Sequence, residues 1–229
     1  MIRIFQKKNM SGSFSIIFAQ NYSCLNISLI QKLKTIPRNI MNDMNKDTSC
    51  VHLLEIDENT MTTAYTTYTH GVVVTQDHQG EQGCWSFIGK CAGCGGNPRR
   101  VFTLKHLIGW NDQPISVNLK AQSQYDVPST WQVLNLSQPG CGYLNDERPV
   151  KHEFLHALGF LHEQSRPDRG QFLNVDTSQL SSGWASQFDL MDSSEWLDTS
   201  HPYEALSVMH YGSYLGGTLG KVPCYTLIC

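Results

Sequence analysis

His152-Glu153-Phe154-Leu155-His156-Ala157-Leu158-Gly159-Phe160-Leu161-His162 is the stretch that decides how this chain is read. On a helix, His152 and His156 stand one turn apart and point the same way. Two imidazoles so placed can bind one Zn²⁺ at about 2.0–2.1 Å each. Phe154, Leu155 and Leu158 fall roughly opposite, where they can pack into a core while the histidines face a cleft. Glu153 lies about 100° around the helix from His152, beside the metal without being obliged to bind it. That is the place of a general base for a metal-bound water. Gly159 can adopt a left-handed conformation that ends the helix and turns the chain, so that His162 returns as a third ligand. Five fixed positions of this kind are far rarer by chance than a bare H-E-x-x-H.

Working outward, Pro149 suits the first turn of this helix and Gly159 its end, which predicts a helix from Pro149 to Gly159. Residues 160–229 show little regular periodicity and read as loop-rich, with Trp184, Phe188 and Trp196 as core or cleft-wall residues. Upstream, residues 91–131 read as an extended surface insertion, with Ile115 to Leu119 as a strand inside it. Gly83 to Gly89 is a compact aromatic segment, and Thr62 to Thr75 suggests a strand or hairpin arm. Val51 to Ile56 reads as a short buried strand. Leu29, Ile30, Leu33, Ile36, Ile40 and Met44 recur at helical steps over 29–47, with Pro37 either interrupting that helix or beginning it. Near the start, Arg3, Lys7 and Lys8 precede the apolar run Phe14–Ala19, which is either a signal-like segment or a first β-strand.

The chain has 229 residues, 40% hydrophobic and 16% charged, which suits one domain with a sizeable core. Its net charge of −3 excludes a strongly basic nucleic-acid binder. No run approaches the roughly 18–20 apolar residues of a membrane span. Eight cysteines, an even number spread along the chain, favour disulfides and an oxidising compartment. Asn21, Asn26 and Asn135 head glycosylation triplets, which fit secretion but are common by chance. Cys91 and Cys94 are read as a local loop disulfide or a pair with Cys24 before half a zinc site or a redox motif. Arg99, Arg100 and Lys105 read as a solvated loop before a site for an acidic partner. His52, His70, His78, His106 and His201 have no ligand spacing.

The run continues His162-Glu163-Gln-Ser-Arg166-Pro-Asp168-Arg169, and Ser207-Val-Met209-His-Tyr211 follows further on. Together these closely resemble the astacin family of zinc endopeptidases, within the metzincins, with Glu163 directly after the third histidine as the family mark. Gly83-Cys-Trp-Ser-Phe-Ile-Gly-Lys90, Val133-Leu-Asn-Leu-Ser-Gln-Pro-Gly-Cys141 and Thr48-Ser-Cys50-Val are similar to further family segments. The resemblance covers most of 40–90 and 132–213. It implies an α+β metzincin-like fold: a twisted mixed sheet, an active-site helix, a cleft and an irregular C-terminal subdomain. It implies one Zn²⁺ per chain on His152, His156 and His162, with Tyr211 as a further ligand that swings away to stabilise the tetrahedral intermediate. Glu153 is implied as general base and then acid, Met209 as the apolar floor, and Glu163 as the contact for a new N-terminus left by propeptide removal. His210, within the Met-turn, is not a ligand in the family. Arg166, Asp168 and Arg169 read as structural ion-pair residues. The family pairing implies Cys84 with Cys141, leaving Cys50 to pair with Cys224 or Cys229.

The resulting expectation is a secreted, monomeric endopeptidase domain over 29–229, preceded by an extension over 1–28, acting on protein or peptide substrates with no nucleic acid and no membrane span. The alternative is a catalytically silent, zinc-stabilised interaction domain. Three departures from the family stand out: the long 91–131 insertion, a longer connection from Cys141 to His152 that predicts an irregular helix start, and a shortened C-terminal end.

Overall fold

Short, largely apolar runs make a five-stranded sheet. The strands are β1 (Ser15–Phe18), β2 (Leu54–Ile56), β3 (Val72–Thr75), β4 (Cys84–Ser86) and β5 (Gln132–Leu136). Their order is β2-β1-β3-β5-β4. The first four in that order run parallel, and β4 lies antiparallel along β5 at the edge, with Trp85 opposite Asn135. The computed structural model describes residues 15–18, 27–47, 53–56, 71–75, 84–89, 132–136, 141, 146–180, 184–192, 201–214 and 225–228. Val72 to Val74 and all five residues of β5 are buried, so both faces of the sheet are covered, as a parallel sheet requires.

β1 lies between β2 and β3, so the strand reading of Ser15–Phe18 is the one the structure adopts. Residues 15–18 thus pair into the same sheet as β2 and β3. Asn135 is 0% exposed within β5, and its triplet is no glycosylation site in the folded chain. Asn21, Asn26, the 91–131 insertion, Trp196, His52, His70, His78 and His106 lie outside the described residues, as do all cysteines except Cys84 and Cys141.

Helix α1 (Ile27–Asp47) carries the chain from β1 back to the start of the parallel β2. Pro37 sits inside it rather than at its beginning. A proline there removes one internal hydrogen bond. The stripe of Ile36, Ile40, Met41 and Met44, all buried, holds the helix to the core across that gap. At its far end the Asn45 amide clamps the main chain of Leu53, accepting from its N–H (2.6 Å) and donating to its carbonyl (2.8 Å).

Helix α2 (Arg148–Ala157) packs on β4, β5 and α1. Phe154, Leu155 and Leu158 enter the same core as Ile40, Val72 and Leu134. A disulfide joins Cys84 in β4 to Cys141, where the chain leads toward α2.

Beyond α2 the chain is built from single 3₁₀ turns at Glu163–Ser165, Arg169–Gln171, Thr177–Gln179 and Ala185–Phe188. The loop-rich expectation misses one element. β6 (Leu173–Val175) pairs antiparallel with β7 (Tyr225–Leu227). Strands of three residues show no usable periodicity, and their partner is remote in sequence. A second apolar cluster forms here from Leu173, Leu180, Trp184, Phe188, Tyr211 and Tyr225. Among the described residues no helix is long and apolar enough to cross a membrane.

Candidate metal centre

The start of α2 is regular despite the longer connection before it. Asp146 accepts the Arg148 N–H at 3.0 Å, and Pro149 occupies the first turn, where its missing N–H costs nothing. At the other end Gly159 takes φ +100° and donates to the His156 carbonyl at 2.8 Å. Gly89, at φ +63° in the turn after β4, donates to the same carbonyl at 2.7 Å. A Cβ on Gly89 would stand 3.4 Å from the Gly159 Cα. Positive φ at both positions favours glycine, and the pair lets the edge strand approach the helix end just where the chain turns toward His162.

That turn brings three imidazoles together. The Nε2 atom of His162 lies 3.2 Å from that of His152 and 3.0 Å from that of His156. A tetrahedral ion with Zn–N bonds of about 2.05 Å needs N···N separations of about 3.3 Å, so the spacing fits zinc. The Nδ1 atom of His152 faces the Val208 carbonyl at 2.8 Å, and that of His156 faces the Phe160 carbonyl at 2.8 Å. A carbonyl only accepts, so Nδ1–H is the donor and Nε2 is the unprotonated nitrogen of each ring, on the side of the common centre. All three histidines are buried, and burial pushes the His152 ring down to about 4, which keeps it neutral and ready to ligate. His152 is only 1% exposed.

Around this centre stand the other residues singled out from sequence. Glu153 is buried, and burial raises its carboxyl well above the usual range, with a backbone hydrogen bond from Ser86 of β4 opposing that rise. Tyr211 lies with its ring 4.4 Å from that of His162 and 6.2 Å from that of His152. Its buried hydroxyl has no hydrogen-bond partner among the described residues. Burial raises that phenol, and the Glu153 charge raises it further, so the two groups share one electrostatic environment. Met209 is buried in the core cluster that includes Phe154 and Val150, and its carbonyl accepts from the Glu163 N–H at 3.0 Å. Glu163 Oε1 accepts from Arg166 (2.9 Å) and from the Glu204 N–H (2.9 Å).

Arg166 is an ion-pair residue, as expected. Fully buried, it bonds Glu163, Asp168 (2.8 and 2.9 Å) and the carbonyls of His201 (2.8 Å) and Pro202 (3.2 Å). Arg169 differs from expectation: its guanidinium donates to the carbonyls of Gln164 and Phe188 instead of a carboxylate. His210 is no member of the three-histidine group; its Nε2 meets the Tyr203 hydroxyl at 2.6 Å. The sequence reading missed Gln164, Tyr203 and Tyr225, which surround the Met-turn. Nothing in their spacing marks them: Gln164 bonds Tyr211 across 47 residues, and the Tyr203–His210 and Tyr225–Tyr211 bonds join chain segments that show no period. Cys50 and Cys229 lie outside the described residues.

Residues 129–226 match the peptidase family described as Astacin. This segment is similar to the astacin family. Among astacin relatives, the mouse (Mus musculus) meprin A subunit alpha is 36% identical over 38% of this chain and 11% of its own length. Protein SpAN of Strongylocentrotus purpuratus is 32% identical over 64% of this chain and 17% of its own. Zinc metalloproteinase nas-4 of Caenorhabditis elegans is 38% identical over 31% of this chain and 23% of its own. The chain thus spans less than a quarter of the length of each of these relatives. High choriolytic enzyme 1, a hatching enzyme zinc-protease from Oryzias latipes, superposes with a TM-score of 0.59 at 19% identity, covering 93% of this chain and 76% of that one. At that identity the likeness is one of fold, and it places the chain in the α+β metzincin-like class. With the astacin match and the donor geometry in agreement, His152, His156 and His162 form the zinc-binding group of this chain.

Proposed function

We propose that this chain is a secreted, monomeric zinc endopeptidase that hydrolyses peptide bonds of extended protein substrates, with Glu153 as general base. The observation that carries the reading is a buried glutamate, next in sequence to the first of three convergent imidazoles and electrostatically coupled to Tyr211. A zinc site kept only for structure has no need of that carboxylate. Zinc, when bound, supplies polarisation of the scissile carbonyl and acidifies a water.

The chain's own residues do the rest. Glu153 accepts a proton from the attacking water and delivers it to the leaving amine. Its burial disfavours the charged form, which suits a group that must hold a proton between the two steps. Tyr211, with its hydroxyl unpartnered, serves as a donor to the developing oxyanion. It is also proposed as the further zinc ligand that gives way during the reaction. Met209 underlies the group, and Glu163 receives the N-terminus exposed by propeptide removal. The substrate lies extended along the edge strand β4, joined to it by main-chain hydrogen bonds. The Cys84–Cys141 bond supports the extracellular setting.

The test is cleavage of casein or a quenched peptide, with and without phenanthroline, alongside Glu153→Ala. Chelation should abolish cleavage, and the substitution should lower kcat by about 10²–10⁴-fold while zinc content stays at one per chain. Activity unchanged in Glu153→Ala would reject this mechanism. Stoichiometric zinc without any chelator-sensitive cleavage would favour the silent interaction domain.

A further inference from the structure

Every main-chain polar atom of Tyr211 is held, while its side-chain hydroxyl is not. The Tyr211 N–H donates to Gln164 Oε1 at 3.1 Å. Its carbonyl accepts twice: from the Tyr225 hydroxyl at 2.7 Å and from His210 Nδ1 at 2.6 Å. Because Nδ1 faces a carbonyl, it carries the proton, and His210 Nε2 accepts from the Tyr203 hydroxyl at 2.6 Å. Tyr203 in turn stacks on Phe172 (4.8 Å) and lies beneath the Arg166 guanidinium (5.4 Å). Tyr225 comes from β7, where pairing with β6 and the Ile228 N–H bond to the Phe172 carbonyl (2.8 Å) fix it in place. The Tyr211 ring touches Trp184 and Phe188 edge-on, at 5.9 and 6.1 Å.

We propose that Tyr225, together with Gln164 and His210, forms a positioning clamp on the main chain of Tyr211, fixing the pivot of a phenol whose hydroxyl is left free. A side chain that must leave one position and support an oxyanion at another gains accuracy from a fixed Cα and loses it from an anchored hydroxyl. The pattern of bonds matches that requirement at both ends. The assignment rests on the role of Tyr211 proposed above. It adds a residue near the end of the chain to the machinery, one that touches neither metal nor substrate.

The test uses the full, oxidised, zinc-loaded chain and compares wild type with Tyr225→Phe, Tyr211→Phe, the double variant and, as a control, the exposed Tyr214→Phe. Tyr225→Phe keeps the ring and removes one hydrogen bond, so kcat on a quenched peptide should fall about fivefold with KM within about twofold. Added to Tyr211→Phe it should change kcat no further, because it acts only through that hydroxyl. A general loss of packing would instead add to the first effect. Hydrogen exchange followed by mass spectrometry gives a second readout that needs no activity. Tyr225→Phe should speed exchange over residues 207–214 about tenfold and leave α2 unchanged, and Tyr214→Phe should alter neither. Unchanged exchange over 207–214, or additive losses in the double variant, overturns the clamp. If wild-type protein shows no chelator-sensitive cleavage, the endopeptidase reading fails, while exchange still decides the clamp.

Discussion

The region up to the end of α2 and the region after it are stabilised in different ways. In the first, Ile40, Val72, Leu134 and Phe154 meet across sheet and helices in one apolar core. In the second, no element exceeds four residues among those described, and a buried Arg166 does much of the organising through five hydrogen bonds. Dispersion and burial depend on volume and tolerate a change of shape. A buried guanidinium depends on direction and charge, and tolerates neither. The zinc group straddles the two: His152 and His156 come from α2, whereas His162 opens the later region, and the Val208 carbonyl orients His152 from 56 residues away.

The largest effect should come from cutting that joint. Zinc binds the folded chain and not the unfolded one, so a thousandfold excess over Kd stabilises by about 4 kcal/mol. Removing it with a chelator should lower the urea midpoint accordingly and raise hydrogen exchange first over 162–214, the region with less apolar burial. Exchange rising equally in α2 and the later region would erase the proposed contrast.

Next come paired substitutions read by urea unfolding. Phe154→Ala should cost about 3–5 kcal/mol and Phe154→Leu only about 1–2 kcal/mol, since most of the volume is retained. Arg166→Ala should cost a similar 3–5 kcal/mol because it strands Glu163 and Asp168. Arg166→Lys should recover little of it, because an ammonium cannot reproduce the fork that spans Asp168, Glu163 and two carbonyls. A benign Arg166→Lys would show that the second region, like the first, responds to bulk rather than to geometry.

The same division sets what could be read from sequence. The metal group is local: His152, His156 and Gly159 have fixed helical offsets, so the motif fixes both geometry and chemistry. The parallel strands show as short apolar runs, although Pro37 misleads about where α1 begins, since tertiary packing outweighs one lost hydrogen bond. The later region offers no such signal. Arg166 reaches His201 across 35 residues, Tyr211 reaches Gln164 across 47, and β7 pairs with a strand that shows no alternation of its own. Contacts fixed by long-range hydrogen bonds leave no periodicity behind.

The smallest effect tests a polar device of the first region, the Asp146–Arg148 pair at the start of α2, held by a 2.8 Å ion pair and the Arg148 N–H bond. Arg148 beside it lowers the Asp146 carboxyl below its usual value. A carboxylate whose folded value lies below the unfolded one contributes stability above the unfolded value, near 3.9, and loses it as pH falls through the folded value. Both side chains are substantially exposed, so solvent screening keeps the effect small. Asp146→Asn should lower Tm by about 1–2 °C at pH 7 at low salt, with the difference from wild type lost as pH falls through the lowered folded value and shrinking in 1 M salt. A loss comparable to that of Arg166→Ala would mean that charge organises the helix start as strongly as it organises the turns beyond it.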